Sequence, residues 1–305
     1  MMNASRHEPV ALSVPDLTEA LDFFTRRLGF RLEMIMPADA PRLALLAGQG
    51  LRVRLEAATT VPPAATDAWQ TGRAGMEYRD LIPGRLAGAF IASQIRIRAG
   101  GEVPDYVHYH KIRFQMIFCK AGWVRVVYED QGPPFILEAG DCVLQPPGIR
   151  HRVLEASPGL EVIEIGAPAV HETWVDHVLT LPTGQTLPER LFDGQRFVRH
   201  RASAAQWTPW RLDGFAARDT GIAAATGGLA DVRIVRAPRE LAATLPAHTG
   251  EFLFFFVLRG ELRLDARRLN ADDCCVIPAG AAIELRASDG LEFLEVGLPA
   301  RWPAR

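Results

Sequence analysis

Two stretches far apart in the chain repeat one another. GDCVLQPPG at 140–148 aligns with DDCCVIPAG at 272–280, placing Asp141 over Asp273, Pro146 over Pro278 and Gly148 over Gly280. An internal duplication constrains the fold strongly, because each copy must be one folding unit with its own buried face. The flanking texture agrees. From about residue 79 short apolar runs alternate with Gly and Pro turns: FIASQIRI, RFQMIF, WVRVVYE, FILEA, DCVLQ, HRVLEA and LEVIEI. A second series, VRIVRA, EFLFFFVL, ELRLDA, CCVIPA, AIELRA and LEFLEVG, follows LPTGQTLPERLFDGQ at 181–195. Many short strands at regular spacing fold as a sandwich or a barrel.

The N-terminal segment has a different texture, predicting strand, helix and three further strands. Asp16 can cap the helix, with Glu19 three positions on, and Leu17, Leu21, Phe24 and Leu28 recur at helical spacing before Gly29. RLEMIMP, PRLALLA and LRVRLE follow as strands, the last two joined at the GQG turn. TTVPPAATDAWQTGRAG, at 59–75, has no period and reads as linker. The organisation expected is a βαβββ module at 1–58, a linker at 59–78, a first barrel at 79–170, a connector at 171–205 and a second barrel at 206–305.

A chain of 305 residues has room for these domains, and 48% hydrophobic with 23% charged residues is an ordinary globular balance. A net charge of -2 removes the electrostatic case for nucleic acid or an anionic membrane. No apolar run approaches the roughly 18 residues of a membrane span, and MMNASRHEPV has no signal pattern. Cys119, Cys142, Cys274 and Cys275 form neither a disulfide framework nor a CxxC knuckle, so a cytoplasmic location is expected.

The chemistry is concentrated in DYVHYHKIRFQMIF, residues 105–118. In a strand, positions two apart share a face, so His108 and His110 point together, with Tyr106 beside them. Gln115 opens the next strand, and His151 follows the Pro146, Pro147, Gly148 turn. Three imidazoles and one amide oxygen from neighbouring strands suit one divalent transition metal with open positions: Fe(II), Mn(II), Ni(II), Cu(II) or Zn(II). Tyr106 can donate a hydrogen bond to a bound substrate. Arg113 and Arg150 flank the motifs and are expected at the surface, and Cys119 and Cys142 as small buried hydrophobes.

These residues resemble the two motifs of the cupin superfamily. The first runs His108, Tyr109, His110, four residues, Gln115, six residues, Gly122; the second runs Gly140, Pro146, Gly148, His151. The resemblance implies a mainly β fold of two cupin (double-stranded β-helix, or jelly-roll) barrels, with His108, His110 and His151 as metal ligands in the first. Gln115 stands where the family places glutamate. It is expected either as a fourth, neutral ligand or as a partner that orients a ligand or substrate, and in both cases the ion should be the stronger electrophile. In the second repeat the four ligand positions hold Pro246, His248, Leu253 and Ile283, which cannot hold an ion.

EPVALSVPDLTEALDFFTRRLGFRLEMI resembles one βαβββ module of the vicinal oxygen chelate, or glyoxalase-like, family. Pro9 fills the usual first ligand position, leaving Glu56 alone, so docking or dimerisation is the expected role. AVHETWVDH, with His171, Glu172, Asp176 and His177, is read as connector.

The resemblances together imply a metal-dependent enzyme, most simply a dioxygenase-type oxidoreductase using Fe(II) on a small oxygen-rich substrate. A metal-dependent isomerase or lyase and a non-catalytic ligand-binding bicupin are the alternatives. The expected partners are a small molecule and a second copy of the chain, a homodimer, with no nucleic acid and no membrane.

Overall fold

In the computed structural model, residues 8–58, 68–82 and 84–301 are described; positions 59–67 of the expected linker lie outside them. The described chain divides into two compact units. One comprises residues up to 115, 121–138 and 146–188; the other comprises 116–120, 139–145 and 189 onward.

The first unit begins with β1 (Val10–Val14), α1 (Leu17–Asp22), β2 (Arg31–Met36), β3 (Leu43–Gly48) and β4 (Leu51–Ala57). This is the βαβββ order expected. Asp16 accepts the Glu19 N–H at 3.0 Å, a cap worth about 1 kcal/mol. The helix then widens into a π turn at Phe23–Arg27, in which Leu28 N–H reaches back to Phe23. Between β3 and β4, Gln49 and Gly50 both have positive φ, the two-residue turn that matches strand twist. β1 pairs parallel with β4, and β4, β3 and β2 pair antiparallel. Leu17, Phe30, Ile35, Ala44, Leu46, Val53 and Leu55 form the core beneath them.

The barrel strands follow: β5 (Gln70–Thr71), β6 (Glu77–Asp80), β7 (Ile91–Ile97), β8 (Gly101–Glu102), β9 (His108–Lys111), β10 (Phe114–Ala121), β11 (Trp123–Tyr128), β12 (Phe135–Glu138), β13 (Cys142–Leu144), β14 (His151–Ala156), β15 (Leu160–Ala167) and β16 (Glu172–Val175). One sheet carries β9, β14, β11 and β12; the other carries β10, β15, β7, β6 and β5. β5 and β6 occupy part of the segment read as linker, and β16 occupies part of the segment read as connector. Both are strands of two to four residues, too short to show a period.

The N-terminal module is not a separate bead. β16 pairs with β9 on one side and with β2 on the other, so one sheet runs β1-β4-β3-β2-β16-β9-β14-β11-β12. His177 strengthens the seam, donating from Nε2 to the Leu32 carbonyl at 2.6 Å.

In the second unit a six-stranded sheet (208–209, 216–219, 231–236, 292–298, 252–259, 274–276) and a four-stranded sheet (241–245, 283–287, 261–264, 267–270) supply the second barrel. Its core contains Trp210, Phe215, Leu253, Phe255, Ile283 and Phe293. EFLFFFVL is therefore barrel core, as its apolar run implies. In the same unit Met116–Phe118 of β10 pair with β13, and β13 pairs with Val198–His200.

Register exposes a second stretch of the duplication. GLEVIEIGAP at 159–168 matches GLEFLEVGLP at 290–299, placing Glu164 over Glu295. Glu164 lies opposite Ser93 and Glu295 opposite Arg233, the same ladder position in both barrels.

Candidate metal centre

His108 and His110 come from β9, where alternation turns both inward and leaves Tyr109 and Lys111 outside. β14 begins at His151, whose Cα is paired directly with that of His108. The turn before it is held in place: Gly148, at φ +76°, donates its N–H to the His110 carbonyl at 3.0 Å. That φ is open to glycine at no steric cost, so Gly148 allows the chain to double back and aim His151 at its partners.

The three imidazoles are 0%, 6% and 6% exposed. Their ring centroids stand 4.2 Å (His108–His151), 5.2 Å (His108–His110) and 5.3 Å (His110–His151) apart. One nitrogen from each lies within 4.8 Å of the others, and among the described residues this is the group of His, Cys, Asp or Glu that can hold an ion. Bonds of about 2.1 Å set three nitrogens on one ion about 3.0–3.6 Å apart, so closure onto an ion asks the rings to approach by at most about 1–2 Å.

The tautomers are set from behind. His108 Nδ1–H donates to the Tyr106 carbonyl at 2.8 Å and His151 Nδ1–H to the Ile149 carbonyl at 3.0 Å. A carbonyl only accepts, so both rings carry their proton on Nδ1 and keep the Nε2 lone pair for a metal. His110 Nδ1 sits 2.9 Å from Thr173 Oγ1, on a residue that is itself fully buried in β16. Holding the far nitrogen in this way is how proteins orient metal-binding histidines. The donor set therefore fits a divalent ion.

Gln115, 2% exposed, does not stand alone. Its Nε2 donates to Glu164 Oε1 on β15 at 2.5 Å. Asp105 is also buried, its Oδ1 3.7 Å from His108 Nδ1 and its Oδ2 accepting the Val153 N–H at 3.0 Å. One buried carboxylate, Asp105, and one half-buried carboxylate, Glu164, thus stand one residue behind the donors. Both carboxylates lie outside the four motif positions, the fourth of which holds Gln115.

Tyr106 precedes β9, with its ring edge-on to His108 at 5.8 Å. Arg150 turns away from the histidines, packing over Tyr109 at 4.3 Å and pairing with Asp176 at 3.1 Å. Three further residues surround the centre, two not singled out in the sequence and a third, His171, read there only as connector. Tyr128 stacks on His151 at 5.4 Å, Thr173 holds His110, and His171 meets His110 edge-on at 5.3 Å. Burial pushes the His171 pKa below the ordinary histidine value. Glu56, the one metal-ligand candidate of the N-terminal module, is instead half-exposed and paired with Arg54 at 2.8 Å.

Among its described residues the second barrel has no comparable cluster. His248 is buried at the position of His110, but its Nε2 faces the Ile277 carbonyl at 3.0 Å.

The three inward histidines can together hold a divalent metal, and residues 94–165 match the family model described as a cupin domain. Over about four-fifths of the chain the fold is similar to that of oxalate decarboxylase from Bacillus subtilis. An R92A variant of that enzyme superimposes with a TM-score of 0.55 at 12% identity, covering 80% of this chain and 79% of the other. Its structure at pH 4.6 gives 0.53 at 14% identity, covering 80% and 78%. A third structure, described in terms of its Mn(II) centres, gives 0.54 at 13% identity, covering 80% and 79%. No curated protein matches the sequence. No helix among the described residues is long and apolar enough to cross a membrane.

Proposed function

We propose that the chain is a metal-dependent bicupin enzyme whose first barrel oxidises a small, oxygen-rich organic molecule with dioxygen, Fe(II) being the favoured ion. The observation carrying this reading is the donor set: three buried imidazoles, two of them with Nδ1 tied to a backbone carbonyl, and an amide instead of a carboxylate at the fourth motif position. When bound, the ion supplies a Lewis-acidic centre with open positions for substrate and oxidant. His108, His110 and His151 hold it, Gln115 completes or orients the donor set, and Tyr106 borders the site as a hydrogen-bond donor to substrate. Tyr128 and its stacking partner Phe135, 5.9 Å away, help keep bulk water from His151.

A second reading is a metal-dependent lyase. It is favoured by the structural likeness to oxalate decarboxylase, with Mn(II) as the ion. Ni, Cu and Zn remain the other metal candidates. Oxygen uptake by protein loaded with Fe(II) or Mn(II), measured with diketones, catechols and small hydroxy acids, separates the two. Substrate-dependent uptake supports the oxidase-type reading. Carbon dioxide release without uptake supports the lyase, and tight binding with neither supports a ligand-binding bicupin.

The same proposal makes the glyoxalase-like N-terminal module a docking element, the assembly a homodimer, and the location cytoplasmic. The four cysteines form no disulfide, which is compatible with a reducing compartment.

A further inference from the structure

Glu164 lies outside both cupin motifs, yet it contacts the one motif position that departs from the family pattern. Its Oε1 accepts from Gln115 Nε2 at 2.5 Å. The amide nitrogen is therefore the end that faces Glu164, and the amide oxygen faces elsewhere. We propose that Glu164 is a positioning residue, which locks the Gln115 amide so that its oxygen is presented to the ion held by His108, His110 and His151. This rests on metal binding at those histidines, the premise of the proposed function, and is independent of the reaction catalysed.

The second barrel supplies an independent observation. Glu295 holds the place of Glu164, whereas Leu253 holds the place of Gln115. There the glutamate, 3% exposed, is met by Arg211 Nη1 at 2.6 Å instead of by an amide. The acid is retained in both barrels, and its partner changes together with the ligand set. Where the histidines remain, the partner is an amide that spends its nitrogen on the acid and keeps its oxygen for another neighbour. Where they are lost, it is a cation that simply neutralises.

The device also explains why glutamate is absent from position 115. Gln115→Glu alone would set two carboxylates at hydrogen-bond distance, where both cannot ionise.

The test is a double-mutant cycle on metal affinity, with Co(II) as the probe, read by chelator competition and by the cobalt visible spectrum. Glu164→Gln and Gln115→Leu are each expected to weaken binding by about 10–100-fold, the usual cost of losing an orienting partner. The double variant should bind no worse than the weaker single variant, because both changes remove one device. The cobalt spectrum should change in the same way in all three. Gln115→Glu/Glu164→Gln rebuilds the bond with its ends exchanged and should bind as tightly as wild type or tighter, which carries the test if Glu164→Gln does not fold. Wild-type affinity in Glu164→Gln, additive losses in the cycle, or a swapped pair that binds as poorly as Glu164→Gln would each overturn the assignment. Wild-type protein that binds no cobalt, like His151→Ala, would overturn the metal reading itself, and this assignment with it.

Discussion

Gly148 and Gly280 make the same contact in the two barrels. Each donates its N–H to the carbonyl of the matching histidine, His110 at 3.0 Å and His248 at 2.9 Å, from a positive φ. The backbone brace behind the metal site has therefore outlived the site in the second barrel. What differs is what the side chains do. Three ligand positions there hold Pro246, Leu253 and Ile283, and Leu253 and Ile283 have joined the apolar core. The strand geometry evidently does not depend on a metal. A buried acid, by contrast, always needs a partner, because an uncompensated charge in the interior costs several kcal/mol.

The comparison can be broken most severely by making the first barrel resemble the second. His151→Ala removes one of three nitrogens and should abolish metal binding, against about one ion per wild-type chain; elemental analysis after reconstitution reads this directly.

Arg211→Ala attacks the second barrel at the corresponding acid and leaves Glu295 buried without its cation. Because Arg211 is partly exposed, the expected cost is about 2–3 kcal/mol in urea unfolding, below the value for a fully buried pair. Metal content should not change. Adding Glu295→Met should recover much of the loss, and an Arg211→Ala protein as stable as wild type would mean that the pair contributes nothing.

A smaller effect is expected from Thr173→Val. It keeps the shape of the side chain but removes the hydroxyl behind His110, and metal affinity should fall about tenfold with little change in unfolding midpoint. Chelator competition would detect it.

The smallest effect concerns His200, in the second unit. Burial holds its pKa below the ordinary value, against the pull of Asp141. The folded chain thus keeps His200 neutral while the unfolded chain takes up a proton first. Stability should fall as pH drops below the ordinary histidine value of about 6.5 and continue falling to the lowered folded value. His200→Gln should flatten that slope in urea titrations across the window. An unchanged slope would assign acid sensitivity to other groups.

The three histidines were legible because HxH spacing in a strand fixes a shared face, and because Gly148 and Pro146 mark the turn that returns His151. The duplication was legible for a similar reason, although only at one of its two matching stretches. Glu164 was harder. LEVIEI carries Glu161 and Glu164 on opposite faces, and only the register shows which one reaches Gln115; Glu161 instead accepts from Gln94 at 2.8 Å. An acid at an inward position of an otherwise apolar strand, recurring in LEFLEVG, was the available signal. Thr173 could not be found by spacing, since 63 positions separate it from His110. Its strand has only four residues, so it offers no period to read. The N-terminal module was legible in its element order but not in its attachment, which depends on that same short strand.

That attachment gives the module a use that requires no chemistry. Remove the first 58 residues and β16 loses β2, its pairing partner, becoming a bare sheet border with unmatched N–H and C=O groups. Such borders recruit strands from other molecules. The residue exposed along with it would be Thr173, the support of His110. A shortened chain would thus risk clumping through the very strand that steadies its candidate ion site, so the module serves as a selvedge that prevents the sheet from unravelling where its chemistry begins.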